Sequence, residues 1–271
     1  MKMKKVIVLV SDENYLNHTK YLFSHIISDT NYDGDLCLIT NKQVDTTEFE
    51  KKNIFVKKYE KIDPYFQKLN IFDIFFKKWD KVLYLDCDTM VIKNDLNKLF
   101  ELPGDMYCEP EPWTVKEYFK KENNIEVYNQ LYNEYNIEKI GFNSGSLFFN
   151  TSIIDKNTKD ELFIIKEKYQ VINEHTRKEG GDQPILNLKF LKLWKEFPEN
   201  EISYWQLYNS GYSRIIINNS DVFYEKRPNP ENTIIYHFVN EFAPWKNYRM
   251  SQSGETYYDI YIKNINKFNN K

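Results

Sequence analysis

Two aspartates separated by one residue give this sequence its clearest chemical signal. Asp86 and Asp88 directly follow the apolar run 82–85, which is typical of a buried strand. In extended backbone the residues at i and i+2 point to the same side, so the two carboxylates should lie together while Cys87 points away. Two close carboxylates repel each other unless a cation or a proton lies between them. The pair therefore predicts a Mg²⁺ or Mn²⁺ site, and the alternative is a polar turn that caps the next element.

His237 is the candidate third ligand. It lies near the end of the apolar run 234–238, where a lone histidine is more often a packed core residue. Beside two carboxylates, however, an imidazole would add a nitrogen donor, and imidazole binds transition metals better than it binds Mg²⁺. A site built from all three residues would therefore favour Mn²⁺. The remaining histidines have no comparable context and are expected on the surface or in packing: His18, His25 and His175.

The elements around the aspartates predict an α/β fold with a largely parallel sheet, because apolar strands alternate with helical patterns. In such sheets ligands bind beyond the carboxyl ends of the strands, where residues 11–13 and 86–88 both lie. In the first hundred residues, strands are predicted at 6–10, 36–40, 53–56 and 82–85, and helices over 15–27 and 69–79. In the rest, strands are predicted at 105–109, 146–150 and 234–238, and helices over 113–135 and 159–171.

Composition and length bound the class of protein. The 271 residues are 41% hydrophobic and no Gly- or Ser-rich linker divides them, so we expect one compact domain over 1–250 and a C-terminal helix or polar tail over 251–271. The formal net charge of -3 argues against a nucleic-acid partner. No apolar run approaches the roughly 20 residues of a membrane span, and residues 6–10 indicate a strand rather than a signal peptide. Three cysteines without metal or redox spacing fit a reducing compartment, so a cytoplasmic location is expected.

Residues 81–95 read K-V-L-Y-L-D-C-D-T-M-V-I-K-N-D. This run resembles the metal-binding element of the family 8 retaining glycosyltransferases, which are related to glycogenin and to bacterial lipopolysaccharide galactosyltransferases. Further motifs of that family follow in the same order over residues 5–247. The resemblance implies a GT-A fold, in which a single Rossmann-like domain carries a mostly parallel central sheet. It also implies that Asp86, Asp88 and His237 hold a divalent metal ion.

The resemblance extends to residues that would bind a nucleotide-sugar donor. The segment 11–15 resembles the turn that cradles the uridine, with Ser11 at the base and ribose and Tyr15 in the base-stacking position. Lys68 resembles a lysine that helps to bind the donor. These three residues are therefore candidate donor ligands.

Two further elements resemble the family's contacts with the donor sugar. Asn143-Ser144-Gly145 resembles its Asn-[Ala/Ser]-Gly element, which implies a donor-binding role for Asn143 and Gly145. Asp182-Gln183 resembles its Asp-Gln element, which contacts sugar hydroxyls. This makes Asp182 and Gln183 the candidate catalytic residues.

The C-terminal motif departs from the family pattern at two positions. After the histidine, the family has a glycine and then a lysine just before Pro-Trp, and both help to hold the diphosphate. This chain has Asn240 and Ala243 there, so a charge that would stabilise the leaving group is missing. Lys246, just past Trp245, is the residue that could replace it.

Together the motifs imply a retaining hexosyltransferase that moves glucose or galactose from a UDP-sugar to a hydroxyl acceptor on a glycan or protein. Mn²⁺ is the expected cofactor, with Mg²⁺ as the second choice. Two alternatives stay open. A nucleotidyltransferase also uses paired acids and a metal, but it would show a Gly-rich basic loop at 11–13. A catalytically impaired module that binds a nucleotide sugar or a glycan would fit the changes at Asn240 and Ala243.

The acceptor pocket is expected from the segments 109–140 and 195–230, and no rule identifies the acceptor from them. The sequence leaves a homodimer open. Four tryptophans are candidates for stacking on sugar faces, although packing explains them equally well: Trp113, Trp194, Trp205 and Trp245.

Overall fold

The computed structural model describes residues 2–61, 64–173, 181–198, 202–204, 214–218, 222–226, 233–238, 243–249, 251 and 253–270. Within these ranges the chain forms three sheets. In chain order the strands are β1 (Lys5–Val10), β2 (Asp35–Asn41), β3 (Phe55–Tyr59), β4 (Lys81–Leu85), β5 (Thr89–Val91), β6 (Met106–Thr114), β7 (Ile140–Asn150), β8 (Trp194–Glu196), β9 (Ile202–Tyr204), β10 (Arg214–Asn218), β11 (Val222–Lys226) and β12 (Ile235–His237).

The central sheet has the order β3-β2-β1-β4-β7-β6-β8. β3, β2, β1 and β4 are parallel neighbours, whereas β7 runs antiparallel to both β4 and β6. The carboxyl ends of β1 and β4 therefore meet at one edge of the sheet. The predicted α/β class with a mostly parallel sheet is confirmed.

Helices cover both faces of this sheet because its inner strands are apolar on both sides. On β1, Val6 and Val8 belong to one hydrophobic core, and Ile7 and Leu9 belong to the other. The helices are α1 (Leu16–Asp29), α2 (Thr47–Glu50), α3 (Pro64–Gln67), α4 (Leu96–Leu99), α5 (Ile125–Glu134), α6 (Thr158–Tyr169), α7 (Asp182–Phe190) and α8 (Tyr257–Asn270). Side chains of α6 and α7 contribute to the first core, and those of α1 and α8 contribute to the second.

A small sheet brings the C-terminal part of the chain back to the end of β4. Its order is β5-β12-β9, with β12 antiparallel to β5 and parallel to β9. In this register His237 lies opposite Thr89, the residue that follows Asp88. The remaining strands, β10 and β11, form a two-stranded antiparallel sheet.

The single amphipathic helix predicted over 69–79 is wrong. The structure has two 3-10 segments there, Lys68–Phe72 and Ile74–Lys78, separated by Asp73 in extended backbone with φ -70° and ψ 146°. The Asp73 carboxylate accepts a hydrogen bond from the N–H of Phe75 at 2.8 Å and pairs with Lys159 at 2.7 Å. The hydrogen bond from the backbone to the aspartate side chain replaces one that a continuous helix would make, so the helix ends there.

Two other predictions need correction. The region 113–135 is α-helical only over Ile125–Glu134, and the strand predicted at 146–150 extends over Ile140–Asn150. The extra strand residues matter because they carry the Asn-Ser-Gly element into the sheet. None of the helices in the described ranges has the length and apolar character that a membrane span requires.

Candidate active site

Three side chains from distant parts of the chain meet at the carboxyl end of β4. Asp86 and Asp88 follow β4, and His237 ends β12. One ligand atom from each lies within 4.8 Å of the others. Main-chain hydrogen bonds fix this approach, because the N–H of Asp86 donates to the Gly145 carbonyl at 2.7 Å and the N–H of Phe238 donates to the Asp88 carbonyl at 2.9 Å. The structure thus brings the three predicted metal ligands together.

Gly145 leaves the room that this cluster needs. A Cβ atom at this position would lie 2.2 Å from Cε1 of His237 and 2.9 Å from Oδ2 of Asp86. A carbon–carbon approach of that kind is a severe overlap, so any side chain would displace the imidazole. The resemblance implies donor binding for Gly145, and the structure adds a steric reason for a glycine beside the metal ligands.

The donor set fits a divalent cation. Oδ1 of Asp88 is buried and has no hydrogen-bond partner among the residues that the structure describes. Nε2 of His237 lies 3.4 Å from this oxygen. A carboxylate oxygen that is buried without a hydrogen bond is costly unless a cation compensates it. Two carboxylates with one imidazole are ligands that Mn²⁺ accepts. The three residues could therefore hold a metal ion.

Burial and neighbouring charges shift the pKa values of the same residues. Burial lowers the pKa of the His237 imidazole, but the Asp88 carboxylate outweighs burial and raises that pKa to about 9. Burial raises the pKa of the Asp88 carboxyl, against the opposing effect of His237. A proton on His237 thus balances part of the carboxylate charge, and a metal ion has to displace that proton in order to bind.

Cys87 faces the other way, as the alternation of a strand predicts. Its Sγ lies 3.4 Å from Oγ1 of Thr19 on α1 and 3.8 Å from the carbonyl oxygen of Val10. The thiol therefore packs between α1 and the end of β1 and takes no part in the cluster of Asp86, Asp88 and His237.

A second polar cluster lies where β7 meets the start of α7. Oε1 of Gln183 accepts hydrogen bonds from the N–H of Ser144 at 3.0 Å and from Nδ2 of Asn143 at 3.2 Å. The Asp182 carboxylate accepts one from Oγ of Ser144 at 2.8 Å. The two elements that the resemblance assigns to the donor sugar therefore form one hydrogen-bonded unit.

Asn187 locks α7 onto β7. Its side-chain amide donates to the carbonyl of Phe142 and accepts from the N–H of the same residue, both at 2.8 Å, and the residue is fully buried. Because Asp182 and Gln183 are the first two residues of α7, this lock fixes their position relative to Asn143.

Lys68 joins the two clusters. Its Nζ lies 3.2 Å from Oδ1 of Asp86 and 3.1 Å from Oδ2 of Asp182, and it donates to the carbonyl of Ser144 at 3.2 Å. Burial lowers the pKa of the Lys68 ammonium, but the two carboxylates outweigh burial and raise the pKa above its ordinary value. The side chain is only 12% exposed. Lys68 is therefore a fixed positive charge between the candidate metal ligands and the candidate sugar ligands.

The residues that the resemblance assigns to the nucleoside follow β1, the sheet neighbour of β4. Ser11 is buried and its hydroxyl donates to the carbonyl of Asp12 at 2.9 Å, so this hydroxyl supports the turn. Tyr15 is 50% exposed, and its ring packs edge-on against His18 with a centroid distance of 5.4 Å.

His18 connects this turn with the C-terminal motif. Its ring stacks on Trp245 at a centroid distance of 3.7 Å, and its Nδ1 lies 2.7 Å from the hydroxyl of Tyr261 on α8. Burial and the nearby charge of Lys246 lower the pKa of His18 to about 4. Lys246 follows Trp245 directly, so the stack of Trp245 on His18 brings Lys246 close to the first turn of α1. Ala243, at the position of the family's lysine, is buried, and Asn240, His175 and Trp205 lie outside the described residues.

Glu111 is a member of the second cluster that sequence reasoning missed. Its Oε1 accepts hydrogen bonds from Nδ2 of Asn143 at 3.0 Å and from Nε2 of Gln183 at 3.1 Å, and the residue is buried. A signal was present, because Glu109 and Glu111 repeat at i and i+2 directly after the apolar residues 106–108. This is the spacing that identified Asp86 and Asp88.

Residues 35–249 match the sequence model of the family described as Glycosyl transferase family 8. The match covers more than half of the chain. The chain belongs to glycosyl transferase family 8. The carboxylates, amide side chains and imidazole described above thus lie together in a member of this family.

Two glycosyltransferases of Streptococcus pneumoniae serotype 4 (strain ATCC BAA-334/TIGR4) are similar in sequence to this family 8 chain. It is 26% identical to GlyA over 189 residues, which are 69% of this chain and 22% of GlyA. It is also 26% identical to GlyE over 181 residues, which are 66% of this chain and 37% of GlyE. The chain therefore spans well under half the length of each of these relatives.

Solved structures of glycosyltransferases share the fold. Galactosyltransferase LgtC, solved with donor and acceptor sugar analogs, superposes with a TM-score of 0.63 at 14% identity, covering 96% of this chain and 95% of that chain. The bifunctional glycosyltransferase WbbM superposes with a TM-score of 0.61 at 22% identity, covering 98% of this chain and 50% of WbbM. The GT-A fold that the family 8 resemblance implies is confirmed.

Proposed function

We propose that this family 8 glycosyltransferase moves a hexose, glucose or galactose, from a UDP-sugar to a hydroxyl acceptor with retention at the anomeric carbon and with Mn²⁺ as cofactor. One observation carries the proposal. Two clusters lie side by side and are joined by the Lys68 ammonium. The first consists of Asp86, Asp88 and His237, and the second of Asn143, Glu111, Asp182 and Gln183. Such an arrangement suits a substrate whose diphosphate and sugar must be held together.

The candidate donor-binding residues have different roles in this proposal. Tyr15 stacks on the uracil, and Ser11 maintains the turn that surrounds the ribose. Asp182 and Gln183 orient the sugar hydroxyls, and the bonds from Ser144 and Asn143 keep these two residues from rotating. Asp182 is the carboxylate to test first for contact with the reacting sugar.

Departure of the nucleotide diphosphate is the step that needs charge compensation. A divalent cation held by Asp86, Asp88 and His237 would neutralise the charge that develops on the leaving diphosphate. Lys68 supplies a permanent positive charge beside the same carboxylates, and Lys246 adds one near His18 on α1. Both lysines would favour an anionic donor at this edge of the sheet.

The decisive test is hydrolysis of UDP-glucose and UDP-galactose with Mn²⁺ and with chelator, compared between wild type and Asp88→Asn. We expect turnover to require the metal and to fall at least about a hundredfold in the variant. Even the mutation of residues that only support metal ligands lowers metal affinity or activity by roughly 10–100-fold. Asp45→Asn is the matched control, because Asp45 carries the same change in an exposed loop. Turnover of Asp88→Asn close to that of Asp45→Asn would remove the metal assignment.

A second candidate is a module that binds a nucleotide sugar without turning it over. The buried Ala243 favours it, because that position supplies no ammonium for the leaving diphosphate. Calorimetry with UDP and Mn²⁺ separates the two functions. Tight, metal-dependent UDP binding without release of sugar from either donor would support the binding module.

A further inference from the structure

A buried tyrosine contacts one of the candidate metal ligands. Tyr84 lies on β4, two residues before Asp86, and its side chain is 2% exposed. Its hydroxyl donates a hydrogen bond to Oδ1 of Asp86, since an ionised carboxylate can only accept. Most buried tyrosine hydroxyls find a partner, so the bond alone says little. What distinguishes it is the oxygen that it takes.

The core holds the ring of Tyr84 in place. In the central sheet Tyr84 pairs with Val8 of β1 and with Leu147 of β7, and all three residues belong to the first hydrophobic core. The Lys68 ammonium lies over the ring, 5.1 Å from its centroid. The hydroxyl therefore has a fixed position before any ligand binds, as a group that orients a metal ligand requires.

Lys68 also contacts Asp86, but it does not distinguish the two carboxylate oxygens. Its Nζ lies 3.2 Å from Oδ1 and 3.4 Å from Oδ2. At such similar distances the ammonium compensates the charge of the whole carboxylate. The hydroxyl of Tyr84 bonds Oδ1 alone, so it is the group that makes the two oxygens different.

The other oxygen of Asp86 faces the imidazole. A Cβ atom at Gly145 would lie 2.9 Å from Oδ2 of Asp86 and 2.5 Å from Nε2 of His237, so this oxygen and this nitrogen border the same small space. Oδ1 lies farther from that point. The oxygen without the tyrosine is therefore the one directed towards the other candidate ligands.

We propose that Tyr84 is a positioning residue that keeps Oδ1 of Asp86 bonded to the protein and leaves only Oδ2 to the divalent cation. This inference rests on the proposed function, since it concerns how the metal site of that function selects its ion. Hydrogen bonds from outside the ligand set commonly orient metal ligands and tune affinity. Here the hydroxyl also limits how many oxygens one ligand can offer.

That limit discriminates against large cations. Ca²⁺ takes about six to eight oxygen ligands and binds a carboxylate through one or both oxygens, whereas Mg²⁺ requires near-octahedral geometry with few carboxylates. Mn²⁺ also binds in octahedral sites and accepts the imidazole nitrogen. An aspartate held to a single free oxygen gives Ca²⁺ fewer ligands but costs Mn²⁺ nothing. The hydroxyl of Tyr84 should therefore favour Mn²⁺ over Ca²⁺.

The test is calorimetric titration of the full chain with Mn²⁺ and, separately, with Ca²⁺, in wild type and in Tyr84→Phe. The phenylalanine keeps the ring in the core and removes only the hydroxyl, and the thermal midpoint without metal shows that the fold is kept. Tyr107→Phe is the matched control. Tyr107 is also a buried tyrosine of the central sheet, on β6, and its hydroxyl donates to the carbonyl of Pro103.

We expect the Mn²⁺ affinity of Tyr84→Phe to fall at least about tenfold and its Ca²⁺ affinity to change much less, so that the preference for Mn²⁺ shrinks. Tyr107→Phe should keep both affinities. A purely structural role of Tyr84 would lower both affinities by the same factor, and that result overturns the proposal. Wild-type affinities in Tyr84→Phe, or a wild type that binds Ca²⁺ as tightly as Mn²⁺, overturn it too.

The same titrations distinguish this failure from a failure of the proposed function. A wild-type chain that binds neither ion would remove the metal site and the role of Tyr84 together. Tight Mn²⁺ binding by wild type that is lost in Asp88→Asn but unchanged in Tyr84→Phe would keep the metal site and remove only the role of the tyrosine.

Discussion

The metal end and the nucleoside end of the candidate site are held together by different forces. At the metal end, Asp86, Asp88 and His237 lie at strand ends and are held together by main-chain hydrogen bonds. The positive charges of His237 and Lys68 balance the two carboxylates. At the nucleoside end, His18 and Trp245 stack between helices, and Tyr261 of α8 holds the imidazole. The first end depends on exact atom positions, and the second depends on contact area.

This difference teaches which substitutions each end tolerates. Charges in a buried site interact strongly, so the loss of one leaves its partners unpaired. Stacked rings contribute through many weak contacts, so the loss of one reduces binding gradually. A single substitution at the metal end should therefore cause a large loss of activity or stability, whereas a single substitution at the nucleoside end should cause a small loss of donor affinity.

The largest effect should follow the removal of the cation that joins the clusters. Lys68→Met leaves the Asp86 and Asp182 carboxylates without their ammonium partner, so we expect a loss of about 3–5 kcal/mol in the free energy of unfolding without metal. Because the pKa of Lys68 is raised, its contribution is fully present below its unfolded value of 10.5 and is lost only as pH rises through the folded pKa. Urea unfolding at neutral pH measures it.

Lys77→Met is the control for this change. Lys77 is an exposed lysine whose ammonium donates to the carbonyl of Ile154, and its loss should cost within about 0.5 kcal/mol. Similar unfolding free energies for the two variants would contradict the view that charge balance holds the metal end together.

Gly145→Ala should be the next most damaging change. The added methyl group would overlap the His237 imidazole, so we expect metal affinity and metal-dependent turnover to fall about a hundredfold. Calorimetric titration with Mn²⁺ measures the affinity, and the thermal midpoint without metal shows whether the fold survives. Ser146→Ala, one residue along the strand, should bind Mn²⁺ like wild type, since its hydroxyl has no hydrogen-bond partner among the described residues. Wild-type affinity in Gly145→Ala would show that the imidazole is not a ligand.

The metal end should also respond to pH. With the pKa of His237 raised to about 9, the imidazole is protonated at neutral pH and metal binding releases that proton. The apparent Mn²⁺ affinity should therefore rise about tenfold per pH unit up to that pKa and then level off. Calorimetry in two buffers of different ionisation enthalpy counts the released proton. His18→Ala should keep this slope, and a flat profile in wild type would rule out a protonated His237.

The smallest effect should come from the nucleoside end. His18→Ala removes the ring that stacks on Trp245, and an aromatic pair of this kind contributes about 0.5–1.5 kcal/mol. We expect the KM for the UDP-sugar to rise severalfold with little change in Mn²⁺ affinity. Tyr261→Phe, which removes only the hydroxyl that holds the His18 imidazole, should have a smaller effect. A change in Mn²⁺ affinity as large as the change in KM would erase the distinction between the two ends.

The parts of the fold that the sequence predicts well are those in which one local signal suffices. The apolar runs of β1 and β4 are buried on both faces and need no knowledge of their neighbours. The i, i+2 spacing of Asp86 and Asp88 places both carboxylates on one side in any extended strand. His237 required more, because only the family resemblance indicated that a strand from far along the chain would end beside them.

The remainder depends on contacts that no local pattern contains. Asp73 interrupts the helix predicted over 69–79 because its carboxylate finds the N–H of Phe75 and the ammonium of Lys159, which is distant in sequence. His18 has no chemical signal of its own and acquires a role only when Trp245 packs on it. Glu111 could have been found from its repeat with Glu109, but its function needs the amides of β7 and α7 to be in place.

Cys87 stands between two candidate metal ligands in the sequence, yet its thiol faces α1. Burial raises the pKa of that thiol to about 12, so the sulfur carries no negative charge at neutral pH. Zn²⁺, Cu⁺ and other thiophilic ions therefore lose the ligand for which they compete best, and Asp86, Asp88 and His237 offer them only oxygen and nitrogen. The alternation of side chains along one strand thus narrows the set of metal ions that these three residues can hold.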